Sequence, residues 1–207
     1  MIAQGTIEWR MERAGKVTAS RIADIIAKTK SGYSTSRENY LTELVIERFG
    51  VIGDGFTNAA MQWGTETEPL ARAAYELKNG VFVQEVGFIA HGSIENAGAS
   101  PDGMVGDDGM LEIKCPNSST HFNYILEEKV PEKYKPQMSW QMASTGRKWV
   151  DFVSFDPRVP DGLQYFQIRY ERDDEYIDLL EREVKQFIAE VDERYAQLKE
   201  KMEKKNV

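Results

Sequence analysis

Ser100-Pro101-Asp102-Gly103, followed by Gly109-Met110-Leu111-Glu112-Ile113-Lys114-Cys115-Pro116, is the stretch around which the rest of the chain is read. Gly103, Gly106 and Gly109, with Asp107 and Asp108 between them, mark a tight turn joining the two pieces. Met110 to Cys115 alternates as a half-buried strand does. A period of two puts Leu111, Ile113 and Cys115 on one face and Glu112 and Lys114 on the other. The apolar face needs a core. The turn brings Asp102 back beside Glu112 and Lys114, so two carboxylates and an amine converge at a strand end.

Phosphodiester hydrolysis explains those residue types. It needs a water nucleophile and relief of charge on the phosphate. Mg2+ prefers oxygen ligands and keeps several waters. Asp102 and Glu112 supply such oxygens, and the Ile113 carbonyl between the functional side chains is a third candidate ligand. Two ions ~4 Å apart can hold both the attacking and the leaving oxygens. Lys114 would orient or activate the water, or steady the charge that develops. The plain alternative is a surface hairpin whose Glu112 and Lys114 form an exposed pair worth little. Glu-x-Lys alone carries almost no signal. Ser-Pro-Asp-Gly upstream, Cys-Pro downstream and the apolar alternation between them favour the nuclease reading.

Composition bounds the remaining choices. The chain has 207 residues, 41% hydrophobic and 11% aromatic, which suits one domain with a real core. No apolar run is long enough to span a bilayer, and the N-terminus has no signal-peptide core. A single cysteine, Cys115, excludes an internal disulfide framework or a multi-cysteine metal site. The expectation is a cytoplasmic protein with a reduced thiol. Only His91 and His121 are available as imidazoles, too few for a histidine-rich metal centre. The net charge of -8 argues mildly against non-specific coating of duplex DNA, though not against a local basic groove with bound metals.

Taken in order, Gln4 to Arg13 is polar with Trp9 embedded. The run after Gly15 leads into a short amphipathic helix with Thr18 or Ser20 as its cap. Helix N-termini hold phosphate readily, which makes Arg13 and Ser20 candidate phosphate ligands. Lys28 to Ser36 reads as an exposed basic loop, with Lys28, Lys30 and Arg37 as candidate DNA contacts. Thr35 and Glu38 resemble a capping box opening the next helix, which Gly50 ends. Val51 to Thr57 reads as a short connection. Asn58 to Leu77 is helical, with Pro69 either kinking it or starting a second helix, and Glu68 beside the break. Val81 to Ala90 is apolar on both faces and predicts a central strand. After Pro116 a helix is expected to carry Phe122, Tyr124, Ile125 and Leu126. A further helix places Gln137 and Gln141 one turn apart on one face. Trp149–Phe155 and Leu163–Arg169 read as strands, and from Asp173 a long amphipathic helix runs to the C-terminus.

Together these pieces resemble the phage lambda-type exonucleases, the viral recombinases among the PD-(D/E)XK nucleases. The resemblance spans nearly the whole chain. It rests on Trp9 to Arg13, Gly15 and Val17-Thr18-Ala19-Ser20; on Trp63-Gly64 with Glu68; and on the two motif pieces above. Tyr134 with Gln137, and Phe155-Asp156-Pro157-Arg158, complete it. It implies an α/β fold: a restriction-endonuclease-like mixed β-sheet flanked by helices, with a long C-terminal helix. Residues 1–207 would form one nuclease domain, with a DNA-end-binding part over 1–50, the catalytic sheet over 81–170 and the final helix over 173–205.

By position, the resemblance assigns Asp102, Glu112 and the Ile113 carbonyl to Mg2+, with two ions expected and Mn2+ able to substitute. It assigns Lys114 to catalysis, Glu68 and Gln137 to the nucleophilic water and metal surroundings, and Arg13, Ser20 and Ser100 to a 5'-phosphate. It further implies a toroidal homotrimer threaded by duplex DNA, 5'-to-3' digestion leaving a 3' overhang, a single-strand annealing protein as partner, and a phage or prophage origin. One departure stands out. The family can place a phosphate-binding arginine shortly after its Cys-Pro, where this chain has Thr120 beside His121. The leading expectation is therefore a 5'-to-3' exonuclease acting on duplex DNA. An endonuclease of the same fold and a non-catalytic DNA-end-binding module are the alternatives.

Overall fold

In the computed structural model, which describes residues 2–53 and 58–205, the chain opens with α1 (Ile7–Arg13), capped by the Thr6 hydroxyl on the Trp9 amide. β1 (Val17–Thr18) follows, then a 3-10 turn (Ala19–Arg21) running into α2 (Ile22–Ile26). Among the described residues no side chain caps this segment, so the expected Thr18 or Ser20 cap is corrected: the Ile22 amide closes the turn on the Ala19 carbonyl. Lys28 to Tyr33 is not a loose loop but a hairpin, β2 (Lys28–Thr29) against β3 (Gly32–Tyr33). α3 (Thr35–Arg48) starts after Ser34 without a side-chain cap, so the Thr35–Glu38 box is not formed. Glu38 instead pairs with Arg194. Of the expected Val51–Thr57 connection, residues 54–57 lie outside the described residues.

α4 (Ala59–Asn79) is capped by Asn58 and runs unbroken through Gly64 and Pro69. A mid-helix proline costs about 3 kcal/mol. Burial of Ala71 and Tyr75 against the sheet offsets it. The predicted central strand over Val81–Ala90 is corrected. It splits into β4 (Val83–Gln84) and β5 (Ile89–Ala90), in different sheets, and Phe82 is 93% exposed. Apolar composition could not distinguish one long strand from two short edge strands.

β6 (Ala97–Ala99) pairs with β1 and β5 in a three-stranded sheet. β7 (Gly103–Val105), β8 (Gly109–Lys114), α5 (Ser118–Glu127), α6 (Lys135–Thr145), β9 (Trp149–Phe155), β10 (Tyr165–Glu171) and α7 (Asp174–Lys205) complete the chain. The main sheet has the order β10-β9-β8-β7-β4. Only β8 and β9 in it are parallel, joined by the α5–α6 crossover such a pair needs.

α4 covers one face of this sheet, over Leu111, Ile113, Val153 and Phe155. α5, α6 and the start of α7 cover the other, over Met110, Val150 and Phe152. β8 is thus covered on both faces rather than one, and its polar face is not solvated. A second core joins α2, α3, α6 and α7, with Trp140 and Phe187 fully buried. In α5 the expected apolar stripe is wrong in detail. His121 and Tyr124 are buried, whereas Leu126 is 81% exposed. Among the described residues no helix is long and apolar enough to cross a membrane.

Candidate active site

The site grows out of the end of the β7–β8 pairing. The register sets Gly103 opposite Leu111, which would put residue 101 opposite Ile113. Residue 101 is proline and has no N–H to give. The ladder stops there, and the Ile113 amide donates to Asp102 Oδ2 instead, at 2.7 Å. The Pro101 carbonyl accepts from Gln4 Nε2 at 2.8 Å. A strand residue turns its N–H and C=O to the same neighbour. The Ile113 carbonyl is therefore turned toward the Asp102 edge. Gly103 permits the close approach of β4: a Cβ there would lie 2.1 Å from Val83 Cγ1.

Glu112 points from β8 toward α6 and is 0% exposed. Gln137 Nε2 donates to its Oε1 and Gln141 Nε2 to its Oε2, both at 2.6 Å. Two amides one helical turn apart thus grip one carboxylate. The Lys114 ammonium also rests on Glu112 Oε1 and lies 5.2 Å from the centre of the Tyr134 ring. Glu68, on α4, is ion-paired with Arg72 at 2.5 Å.

Charge at this point is out of balance. Burial, then repulsion from Glu112, raises the Asp102 carboxyl well above the usual carboxylate range; Lys114 opposes this and Glu68 adds to it. Burial likewise raises Glu68, against the pull of Arg72 and Lys114. Burial disfavours the Lys114 ammonium, yet Glu112 and Asp102 hold its pKa above the ordinary lysine value. Three carboxylates feel one another with too little positive charge among them. That imbalance is what a divalent cation relieves, so the donor set fits a hard metal ion. Among the described residues no three His, Cys, Asp or Glu side chains cluster as a cage by themselves. A metal here would lean on the Ile113 carbonyl and water besides Asp102 and Glu112.

The three candidate phosphate ligands fall into a linked arrangement. Arg13 and Ser20 line one cleft of about 700 Å³, together with Arg10, Lys16 and Arg21. Ser100 is tied in through Trp9, whose indole N–H donates to Ser100 Oγ at 3.1 Å. The Arg13 guanidinium lies 3.9 Å over the Trp9 ring. Among the described residues Arg13 Nε is buried without a hydrogen-bond partner, and burial lowers the Arg13 pKa despite Tyr40 and Glu47. A half-buried guanidinium whose Nε is left unpaired suits an anion. Of the other basic candidates, Arg37 is buried and paired with Glu190, and Lys28 pairs with Glu183. Both serve the packing of the hairpin and α3 against α7. Lys30 is exposed.

At the departure after Cys-Pro, neither side chain is placed as the family's arginine would be. The Thr120 amide is held by the Asn117 cap. His121 is buried between Ser154 Oγ and the Leu163 carbonyl, both at 2.7 Å. The cation beside this turn is Arg158, which donates to the Pro116 carbonyl at 3.1 Å. It is braced by buried Asp156 and lies 4.1 Å over the Trp63 ring. Nothing in the residues alone assigns Arg158 a role. Its only signal was the Phe155-Asp156-Pro157-Arg158 run. Gln141 was visible as the partner of Gln137 on one helix face, but its grip on Glu112 was not.

The fold is that of the phage-type exonucleases. A phage related exonuclease from Haemophilus somnus shares it at TM-score 0.68, with 20% identity over 90% of this chain and 96% of that one. The family model of the YqaJ-like viral recombinase domain matches residues 8–148. The chain belongs to that family, and the lambda-type resemblance read from its motifs holds. An alkaline exonuclease from Laribacter hongkongensis is 51% identical, over 96% of this chain and 99% of that one, at TM-score 0.89. The same enzyme in complex with dAMP matches at 50% identity and TM-score 0.90, with the same coverage. No protein with a curated description matches.

Proposed function

We propose that this chain is a Mg2+-dependent 5'-to-3' exonuclease that degrades the 5'-ended strand of linear duplex DNA and leaves 3' overhangs for strand annealing. Its family and its half-identity to an alkaline exonuclease make it a nuclease. The metal, the polarity and the product are the proposal. The observation that carries it is the meeting of Asp102, Glu112 and Lys114 at the end of β7 and β8, with excess negative charge.

Asp102, Glu112 and the Ile113 carbonyl would hold the ion. When bound, the ion lowers the pKa of a coordinated water and offsets phosphate charge. Lys114 steadies the charge that develops on the phosphate, and Gln137 and Glu68 shape the surroundings of the water. Arg13, Ser20 and Ser100 grip the terminal 5'-phosphate, which sets the end from which digestion starts. A complex of the related exonuclease with dAMP supports a deoxynucleoside monophosphate product.

On this reading residues 1–207 form a single nuclease domain that assembles as a ring-shaped homotrimer, works with a single-strand annealing partner, accepts Mn2+ as a substitute ion and acts in the cytoplasm. A basic channel within an acidic exterior reconciles the net charge of -8 with a DNA substrate.

The test offers the protein 5'-phosphorylated linear duplex, 5'-hydroxyl linear duplex and closed circular DNA, each with Mg2+ or EDTA. Nucleotide release from the 5'-phosphorylated linear duplex in Mg2+ alone, with the circle spared, is the expected result. Cleavage of the circle would instead make the protein an endonuclease.

A further inference from the structure

We infer that Gln141 is the positioning residue of the candidate metal site: it locks Glu112 Oε2 into the core and leaves Oε1 as the oxygen turned to the open side. The inference rests on the metal-dependent reading above and deepens it. Glu112 is wholly enclosed, and its two oxygens have different company. Oε2 meets Gln141, itself 0% exposed, at 2.6 Å. Oε1 meets Gln137 and Lys114, both partly exposed. One oxygen therefore faces fixed interior and the other faces groups able to move aside.

A second observation makes the contact more than incidental. Among the described residues, Gln141 Oε1 is buried with no hydrogen-bond partner. Buried amides normally satisfy both ends. Turning this amide over would set its oxygen against Glu112 Oε2, carboxylate against carbonyl, and lose the only bond it makes through Nε2. Its orientation is thus dictated by Glu112, at the expense of its own carbonyl. The helix geometry fits this role: residues 137 and 141 lie one turn apart on the face of α6 that covers β8. Gln137 is at the open end and Gln141 at the closed end. Fixing one oxygen fixes the plane of the carboxylate, and outer-sphere partners of this kind set metal affinity by about 10- to 100-fold.

The test is Mn2+ binding to the DNA-free protein, read by electron paramagnetic resonance, for the wild type, Gln141→Met and Gln141→Asn. Methionine keeps the volume without a donor. Asparagine keeps the amide but falls one methylene short. Both variants are expected to bind Mn2+ at least tenfold more weakly, while their affinity for 5'-phosphorylated duplex in EDTA stays within twofold. Loss of nucleotide release should then be rescued by raising Mn2+, which a merely structural defect would not allow. If either folded variant binds Mn2+ as the wild type does, Gln141 only fills the core and the inference fails alone. If the wild type binds no Mn2+, the metal-site reading fails and takes the inference with it.

Discussion

Two buried acids sit on the adjacent parallel strands and face opposite ways, Glu112 on β8 toward α6 and Asp151 on β9 toward α4. Both are essentially unexposed. Asp151 is complete within itself. Tyr75 Oη donates at 2.8 Å, Gln167 Nε2 at 3.1 Å, and Arg169 grips both oxygens at 2.8 and 3.0 Å. Arg169 in turn lies 3.6 Å over the Trp149 ring. Glu112 has comparable hydrogen bonds, but two come from neutral amides, and its one cation is shared with Asp102. Burial of a carboxylate is therefore not what sets the candidate site apart. Charge left unbalanced after every hydrogen bond has been made is the mark.

That contrast can be broken by experiment. The largest effect is expected in catalysis. Lys114→Ala or Glu112→Gln should lower nucleotide release on the order of 10²–10³-fold, whereas Asp151→Asn should leave it within a few-fold at 25 °C. Unchanged release in Lys114→Ala would remove Lys114 from the mechanism. Next comes linkage to metal. Mg2+ at about 100 times its Kd should stabilise the protein by about 2.7 kcal/mol against urea, and Asp102→Asn should abolish the gain. A urea midpoint that ignores Mg2+ would contradict the site.

Asp151→Ala should destabilise the fold by roughly 1–3 kcal/mol, because the Tyr75 hydroxyl loses its buried acceptor. Equal stability in urea would show that this network is dispensable. Asp102→Asn sharpens the comparison in the opposite direction. Burial, and then repulsion from Glu112, raises the proton affinity of Asp102, so the ionised carboxylate destabilises the metal-free fold at neutral pH. The neutral amide keeps an oxygen for the Ile113 N–H, and the metal-free variant should melt higher than the wild type. A lower melting temperature would mean that the carboxylates do not repel.

The smallest expected effect is at Asp156. Burial opposes its ionisation, but hydrogen bonds from Arg158 and Ser118 outweigh it and carry its pKa down to about 2. A depressed carboxyl pKa stabilises the fold above the unfolded value of about 3.9, and that contribution fades as pH falls from about 4 to about 2. Asp156→Asn should flatten the acid limb of a stability–pH curve over that window, and a curve superimposable on the wild type would refute the assignment.

The parts whose signal is local are legible in the chain alone. Glycines and aspartates at 103–109 require the turn. The alternation from Met110 to Lys114 sets which side chains share a face, and the helical spacing from Tyr176 to Leu198 gives α7 its apolar stripe, of which Leu180, Val184, Phe187, Ile188 and Val191 are buried while Leu179 and Leu198 stay exposed. These follow from backbone geometry alone, so they were readable without neighbours, and the motif order identified the family. Tertiary structure decided what depends on neighbours distant in the chain. Only assembly split Val81–Ala90 between two sheets, buried Arg37 on Glu190 and His121 under Leu163, and left Leu126 in solvent. Likewise, only the packing of α6 over β8 set Gln137 and Gln141 on the two oxygens of Glu112. A polar residue's role is fixed by the charge and solvent around it, and those are supplied by residues that periodicity cannot see.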